Sequence, residues 1–324
     1  MVTMMNNRSV SLKQIAEQLK NIKSALIFCH INPDGDTLSC AFSLKRALEK
    51  LNVCAKVVSP DGLPKKYEKL GFFDEVLRLP DGEVYDAFIS VDCSTEGQMG
   101  EPYLTFSKHK NTFCIDHHIS NSRYAKQFFV EDCGACSMLV FDLIKLLGVD
   151  IDSEMANILM VGVMTDTGNF SHSNTDQKVF ETATELTKLG ADVYKLNKTL
   201  FCSQPIERSK LYIEVMSKMK FFHDGKLAVI SIFDEQMKRF NLTKSDTEGF
   251  IDFPMSIDGV EVAVSIFENG NNSFKISFRS KDVNVNEIAG VFGGGGHVKA
   301  SGAKLNGFYE DVLDKLVFTV GNYL

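Results

Sequence analysis

No stretch of the 324-residue chain reaches the roughly 18 consecutive apolar residues that span a bilayer. The opening MVTMMNNRSVSLKQ lacks the apolar core of a signal peptide. Internal repeats and low-complexity tracts are also missing. Positive charge is in deficit: 35 Lys and Arg stand against 42 Asp and Glu, a net −7 with His neutral. The deficit is spread along the chain, which excludes a body that tracks long nucleic acid through many phosphate contacts. A small anionic ligand held by a few local groups stays possible, as does a metal site that absorbs clustered carboxylates. What is present is ordinary globular composition, 44% apolar and 24% charged, so disorder and fibrous repeats are out. The length predicts about two domains, each able to bury its own core. At this size the eight cysteines read as reduced thiols rather than a disulfide scaffold. A cytoplasmic protein with no membrane partner is the expectation.

The first half alternates β-branched runs with amphipathic stretches. Ser24 to His30, Val53 to Ser59, Asp86 to Asp92 and Asn111 to Asp116 read as buried strands. Thr37 to Leu51, Ser137 to Leu147 and Glu154 to Met164 have helical spacing. Strands separated by helices predict an α/β fold with a mostly parallel sheet covered on both faces. From Asp176 to about Met219 the pattern is almost wholly helical, the expected connection between domains. Three alternating strands follow, Lys226 to Phe233, Val260 to Glu268 and Ser273 to Ser280, with ENGNN as a hairpin turn. This half predicts a smaller α+β domain with an antiparallel sheet.

Four segments carry chemistry. HINPDGD sets His30, Asp34 and Asp36 in a loop after a strand, with Pro and Gly delaying the next helix. Asp92 ends ISVD, Asp116-His117-His118 ends NTFCI, and Asp166 follows an apolar helix in MTDTGNF. Each alone has an ordinary explanation as a cap, a turn or a hydrogen-bonded core residue. Together they put acidic and imidazole groups repeatedly at strand carboxyl ends, where ligands bind in such sheets. Unpaired carboxylates gathered there would cost several kcal/mol, which cations offset. Asp and His donors without Cys suit Mn2+ or Mg2+, with Zn2+, Co2+ or Fe2+ less excluded. Six donors are too many for one ion with open positions, so two ions about 3.5–4 Å apart fit better. That chemistry is hydrolysis of a phosphoester or phosphoanhydride.

Gly293 to Gly296 followed by His297 permits close backbone approach and presents N–H groups to an anion. A flexible turn after a helix is the plain alternative, and Lys299 and Ser301 nearby favour a phosphate or carboxylate site. Arg279, ending SFKISFRS, is either an edge charge or a bidentate fork for phosphate. His109, His172 and His223 read as surface or structural residues.

In their order these segments resemble the DHH phosphoesterase superfamily, named for the triplet found here at Asp116-His117-His118. FRSK and GGGGHVKASG look like the DHHA1 domain of one branch, so the resemblance runs from about Ser24 to Gly307. Length and domain pair are most similar to the bacterial oligoribonuclease and pAp phosphatase group. The resemblance implies a DHH catalytic domain over 1–190, a helical linker or hinge over 191–215 and a DHHA1 substrate-binding domain over 216–324. It places catalysis in the cleft between domains.

It also implies two Mn2+ ions, with Mg2+ or Co2+ as substitutes. His30, Asp34 and Asp92 would hold one; Asp36, Asp92, His117 and Asp166 the other, with Asp92 bridging. His118 would face the scissile phosphate and help neutralise or protonate the leaving oxygen, and Asp116 would orient an imidazole or a metal-bound water. Arg279, Gly293, Gly294, Gly295, Gly296 and His297 would clamp substrate. The implied activity releases mononucleotides from short RNA and removes the 3′-phosphate of pAp. Cleavage of cyclic or linear di-AMP (pApA) is the alternative; a pyrophosphatase and a non-catalytic nucleotide sensor rank lower. A homodimer is a family-level expectation.

Overall fold

A computed structural model describes residues 7–324. The chain divides into two compact units, Met1–Ser203 and Gln204–Leu324. Among the described residues no helix is long and apolar enough to cross a membrane.

The first unit is built on six parallel strands: β1 (Arg8–Ser9), β2 (Ser24–Phe28), β3 (Cys54–Val58), β4 (Ala87–Val91), β5 (Thr112–Asp116) and β6 (Gln127–Val130). Their order is β1-β6-β5-β4-β2-β3. Strand side chains alternate between faces, and both faces are covered. Ala25, Ile27, Ile89, Phe113 and Ile115 pack beneath the helices Leu12–Leu19, Gly35–Lys50, Cys136–Leu147 and Ser153–Asp166. Leu26, Phe28, Phe88 and Cys114 meet Met99, Phe106 and Tyr124 on the other face. This explains why the strands read as unbroken apolar runs. The two outer strands β1 and β6 escape such reading, one being two exposed residues and the other only four.

After β2 the chain moves outward to β3, then returns to the far side of β2 as β4. The sheet therefore reverses direction between β2 and β4, the place where doubly wound sheets open a crevice at their carboxyl ends.

The helix after β2 begins earlier than its sequence suggests. It starts at Gly35, not Thr37, because the Asp34 side chain accepts N–H bonds from Asp36 and Thr37 at 3.0 and 3.1 Å. Asp36 thus lies in the first turn of a helix rather than in a loop. Gly35 is needed there, since any Cβ would overlap Thr165 on the helix Ser153–Asp166.

The helical stretch after Asp176 is shared between the units. Gln177–Lys188 and Val193–Leu200 bury Val179, Leu186 and Leu196 in the first core, whereas Ile206–Ser217 buries Leu211 and Val215 in the second unit. The second unit has strands β7 (Lys220–Phe222), β8 (Leu227–Ile232), β9 (Val262–Glu268), β10 (Ser273–Ser280), β11 (Gly295–His297) and β12 (Ala300–Asn306). They are ordered β11-β12-β10-β9-β8-β7. The sheet is not wholly antiparallel as expected, because β8 and β9 run parallel. The segment between them, including the helix Asp234–Phe240, is long enough for a crossover. The β9–β10 hairpin forms at the expected turn, with Gly270, Asn271 and Asn272 all at positive φ.

Candidate metal centre

Three adjacent strands deliver the donors. His30 follows β2 by two residues, Asp92 follows β4 directly, and Asp116-His117-His118 ends β5. His30 and Asp92 therefore flank the point where strand order reverses. Asp166 arrives as the last residue of the helix Ser153–Asp166. Side-chain exposure is 3% at Asp92 against 40% at His118 and 52% at Asp34, so the centre is closed on the sheet side and open at His118 and Asp34.

Each imidazole is held by one nitrogen. His30 Nδ1–H donates to the Ile31 carbonyl at 2.7 Å and His117 Nδ1–H to the Cys133 carbonyl at 2.9 Å. Both Nε2 atoms then face carboxylates. His30 Nε2 lies 3.6 Å from Asp34 Oδ1 and 3.8 Å from Asp92 Oδ2. His117 Nε2 lies 3.4 Å from Asp92 Oδ1 and 3.8 Å from Asp166 Oδ2. Donor atoms gather within 4.8 Å of one another in three sets: His30, Asp34 and Asp92; Asp36, His117 and Asp166; Asp92, His117 and His118. Asp92 turns one oxygen to each side.

These donors fit divalent cations. Asp92 Oδ1 and His117 Nε2 are buried and have no hydrogen-bond partner. Groups so placed are costly unless something charged stands between them. Neighbouring donors on one ion with bonds of about 2.1 Å lie about 3 Å apart, near the separations seen here.

The electrostatics agree. Burial, then the charge of Asp36, pushes the Asp92 carboxyl well above its ordinary value. Burial and Asp36 likewise raise Asp166 to about 7. Burial opposes charge on His30, but Asp34 and Asp92 overcome it and lift the imidazole to about 10. Burial opposes His117 too, and the Cys133 contact with Asp36 and Asp92 raises it to about 11. The same crowding of carboxylates that raises these groups favours any cation placed among them.

Asp36 is held by both oxygens. Oδ2 accepts from the Cys136 N–H at 2.6 Å and Oδ1 from the Ser137 N–H at 3.0 Å. It thereby caps a helix whose own N-cap residue, Ala135, makes no side-chain cap. Asp116 is wholly buried and accepts three donors: the His117 N–H at 2.9 Å, His118 Nδ1–H at 2.8 Å and Asn121 Nδ2 at 2.6 Å. Burial works against its charge, but His118 and Asn121 hold the carboxyl below its ordinary value. The same bond raises His118.

Sequence reading passed over four features here. Asn121 stands three residues after the DHH triplet. Asn174 Nδ2 ties the Gly134 carbonyl to Asp166, reaching its Oδ2 at 3.4 Å. Gly162 leaves room for the Asp36 carboxylate, which a Cβ would overlap. Cys133 and Cys136 form a CxxC spacing whose backbone groups, one carbonyl and one N–H, hold His117 and Asp36.

The remaining candidates lie together in the second unit. Arg279 pairs with Ala300 across β10 and β12, and Ala300 pairs with His297 on β11. Arg279 and His297 thus share one sheet face, separated only by an alanine. The glycines differ from the expected row of free amides. Gly293 and Gly294 donate to the Gly290 and Ala289 carbonyls, and Gly296 donates to Asn286 Oδ1 at 2.8 Å. Gly293 adopts φ +70°, while Cβ atoms at Gly294 and Gly296 would strike the β12 backbone. Close strand approach is what these glycines provide.

A doubly wound sheet with an imidazole–carboxylate centre at its switch point, followed by an antiparallel-rich α/β unit, defines the DHH class with a DHHA1 partner domain. Family models match accordingly: the DHH family N-terminal domain over 24–163 and the DHHA1 domain over 224–324. A "Bifunctional oligoribonuclease and PAP phosphatase NrnA" of Thermus thermophilus is 33% identical, covering 94% of this chain and 92% of the relative. A protein of the same name from Bacillus subtilis is 24% identical over 87% and 89%. The structure of an exopolyphosphatase-related protein from Bacteroides fragilis superposes with TM-score 0.88 at 25% identity, 96% of each chain being covered. The chain belongs to the DHH family, in the branch that carries a DHHA1 domain.

Proposed function

We propose that the chain is a phosphoester hydrolase with two divalent cations, which shortens small oligoribonucleotides to mononucleotides and removes the 3′-phosphate of pAp. The observation that carries this reading is Asp92, whose two oxygens face two separate donor sets. The names of the relatives supply the substrates. His30, Asp34 and Asp92 hold one ion; Asp36, Asp92, His117 and Asp166 hold the other. A carboxylate-rich set without thiolate suits Mn2+, with Mg2+ or Co2+ as substitutes. When bound, such a pair supplies Lewis acidity for in-line displacement at phosphorus.

The chain's own residues do the rest. Asp116 fixes His118 through Nδ1, which leaves Nε2 to give a proton to the leaving oxygen. Arg279 and His297 hold a substrate phosphate, the guanidinium as a two-pronged donor. An acidic protein whose anion-holding groups are local, with no long basic track, favours a few nucleotides over a long strand.

The direct test offers pAp, pApA, a labelled RNA pentamer, cyclic di-AMP and pyrophosphate side by side with Mn2+. Stepwise mononucleotide release from the pentamer and phosphate from pAp are expected. Turnover of pyrophosphate alone, or tight binding of one compound with turnover of none of the five, would overturn the assignment.

Metal loading itself is pH-linked. Imidazoles raised to about 10 and 11 must lose their protons to become ligands. Affinity is therefore weak at low pH and strengthens as pH rises, with about two or more protons released per protein at neutral pH, the raised Asp92 and Asp166 carboxyls adding to the two imidazoles. Calorimetric titration of Mn2+ in buffers of different ionisation enthalpy measures that release. A buffer-independent heat would remove His30 and His117 from the ligand set.

A further inference from the structure

The sheet of the second unit has one face largely open over β10 and β12, where only the short helix Asp252–Met255 reaches β10. Phe274, Ile276 and Phe278 point into the core with Val262, Val264 and Ile266. Alternation sends Lys275, Ser277 and Arg279 the other way. On that side Leu211, Val215, Met237 and Phe250 cover Ile230 and Ile232 of β8 and reach Phe267 on β9. Lys275 and Lys304 are exposed beyond them.

Register arranges the open face in three rows. Ala263, Arg279, Ala300 and His297 form the first; Ser265, Ser277, Gly302 and Gly295 the second; Phe267, Lys275 and Lys304 the third. The outer rows are cationic and about 14 Å apart along the strands. The row between them holds only serine and glycine, so no long side chain obstructs the passage.

The third row is electrostatically unrelieved. Lys275 stands directly opposite Lys304. Like charges so placed destabilise a sheet. Lys244 joins them, its ammonium 5.6 Å from the centre of the Phe267 ring. Burial, then the charge of Lys275, lowers its pKa from the ordinary value. Among the described residues none of these three lysines has an ion pair, although many other surface lysines do, including Lys45, Lys56, Lys145 and Lys218. In a chain of net charge −7, such a strip is a local cost that folding does not require.

We infer that this face is a platform for the phosphate backbone of a short single strand, with Arg279 and His297 taking one phosphate and Lys275 and Lys304, beside Lys244, taking another further along. The inference rests on the proposed oligoribonuclease function and adds what makes substrate length matter. Lysines hold phosphate as point charges and read no base, which suits a strand of any sequence. pAp, with a single nucleoside, is too short to reach both rows.

The test compares initial rates on an RNA pentamer and on pAp, with Mn2+, over a range of salt, for the wild type and Lys275→Ala/Lys304→Ala. The pentamer-to-pAp ratio of kcat/KM should fall about tenfold in the variant, the loss appearing in KM. The logarithmic salt dependence for the pentamer should flatten by about 0.7, the contribution of the one phosphate that this row holds. Lys275→Arg/Lys304→Arg should restore both. Equal loss on the two substrates, or an unchanged salt slope, would overturn the platform. A wild type active on neither substrate would instead overturn the proposed function, and the platform with it. Unfolding does not confuse the result, because removing the opposed charges leaves thermal stability unchanged or higher.

Discussion

Asp92→Asn should reduce turnover by about 10³-fold or more and abolish the thermal shift produced by Mn2+, yet leave the metal-free protein as stable as before or more so. The activity loss follows from the proposed bridging position, since one substitution weakens both ions and several kcal/mol of transition-state stabilisation go with them. The stability gain follows from sign. A carboxyl whose folded pKa lies above its unfolded value costs stability as pH rises past the unfolded value. Asp92 is such a group, raised by burial and by Asp36, so at neutral pH it opposes folding until cations arrive. Asparagine keeps the shape and removes that cost. It also tolerates the local backbone, because Asp92 sits at φ 51° in the left-handed region where Asn is among the favoured residues. Wild type should gain about 2.7 kcal/mol at metal a hundredfold above Kd, and the variant almost none. Thermal melts with and without Mn2+ decide it; a variant that still responds to metal would move the bridge elsewhere.

Asp116→Asn should act in the opposite way on stability and also lower kcat. The carboxylate receives three donors in a site closed to water. An amide offers one oxygen and one NH2, so at least one donor is left facing another. Leaving a buried donor without an acceptor costs about 1–3 kcal/mol. For a unit near 200 residues that is on the order of 5 °C in melting temperature. The loss has a defined pH window. Asp116 is depressed and stabilises above its unfolded pKa; His118 is raised and stabilises below its own. The pair contributes most between those limits, so wild type and variant should converge as acid protonates Asp116. In turnover, a loosened His118 should cost about 10²-fold or more in kcat with little change in KM. Because the carboxylate no longer supports the imidazolium, the limb of the pH profile governed by His118 should move to lower pH. A purely structural role would lower active enzyme but leave the limb in place.

Much of this centre is legible along the chain. Strands ending in His30, Asp92 and Asp116 are visible because buried parallel strands are continuous apolar runs, and a charged group at the end of one is conspicuous. Asp166 is visible at the end of an apolar helix for the same reason. Asp36 was legible as a donor but not in its role at a helix start. Its two oxygens meet N–H groups of residues 136 and 137, a hundred positions away, and no local pattern encodes that meeting. Gly35 reads as a loop glycine and Gly162 as an ordinary helix-weakening one until two helices cross closely at them. The glycine cluster reads as an anion loop from composition, whereas the turn that ends the helix Val285–Val291 and the Asn286 side chain take up the amides of Gly293, Gly294 and Gly296.

Local residue order was thus enough to single out the candidate donors, the strands that carry them and the two-part organisation, because periodicity and end groups are properties of neighbours in sequence. Which candidate donors stand together depends on strand order. The reversal between β2 and β4 sets His30 on one side of Asp92, and the β4–β5 pairing sets His117 on the other. The rows of the second sheet depend likewise on register, where a shift of one residue would turn Arg279 and Lys275 into the core. Pairing between distant segments is set by burial of whole faces, and that is settled only when the chain folds.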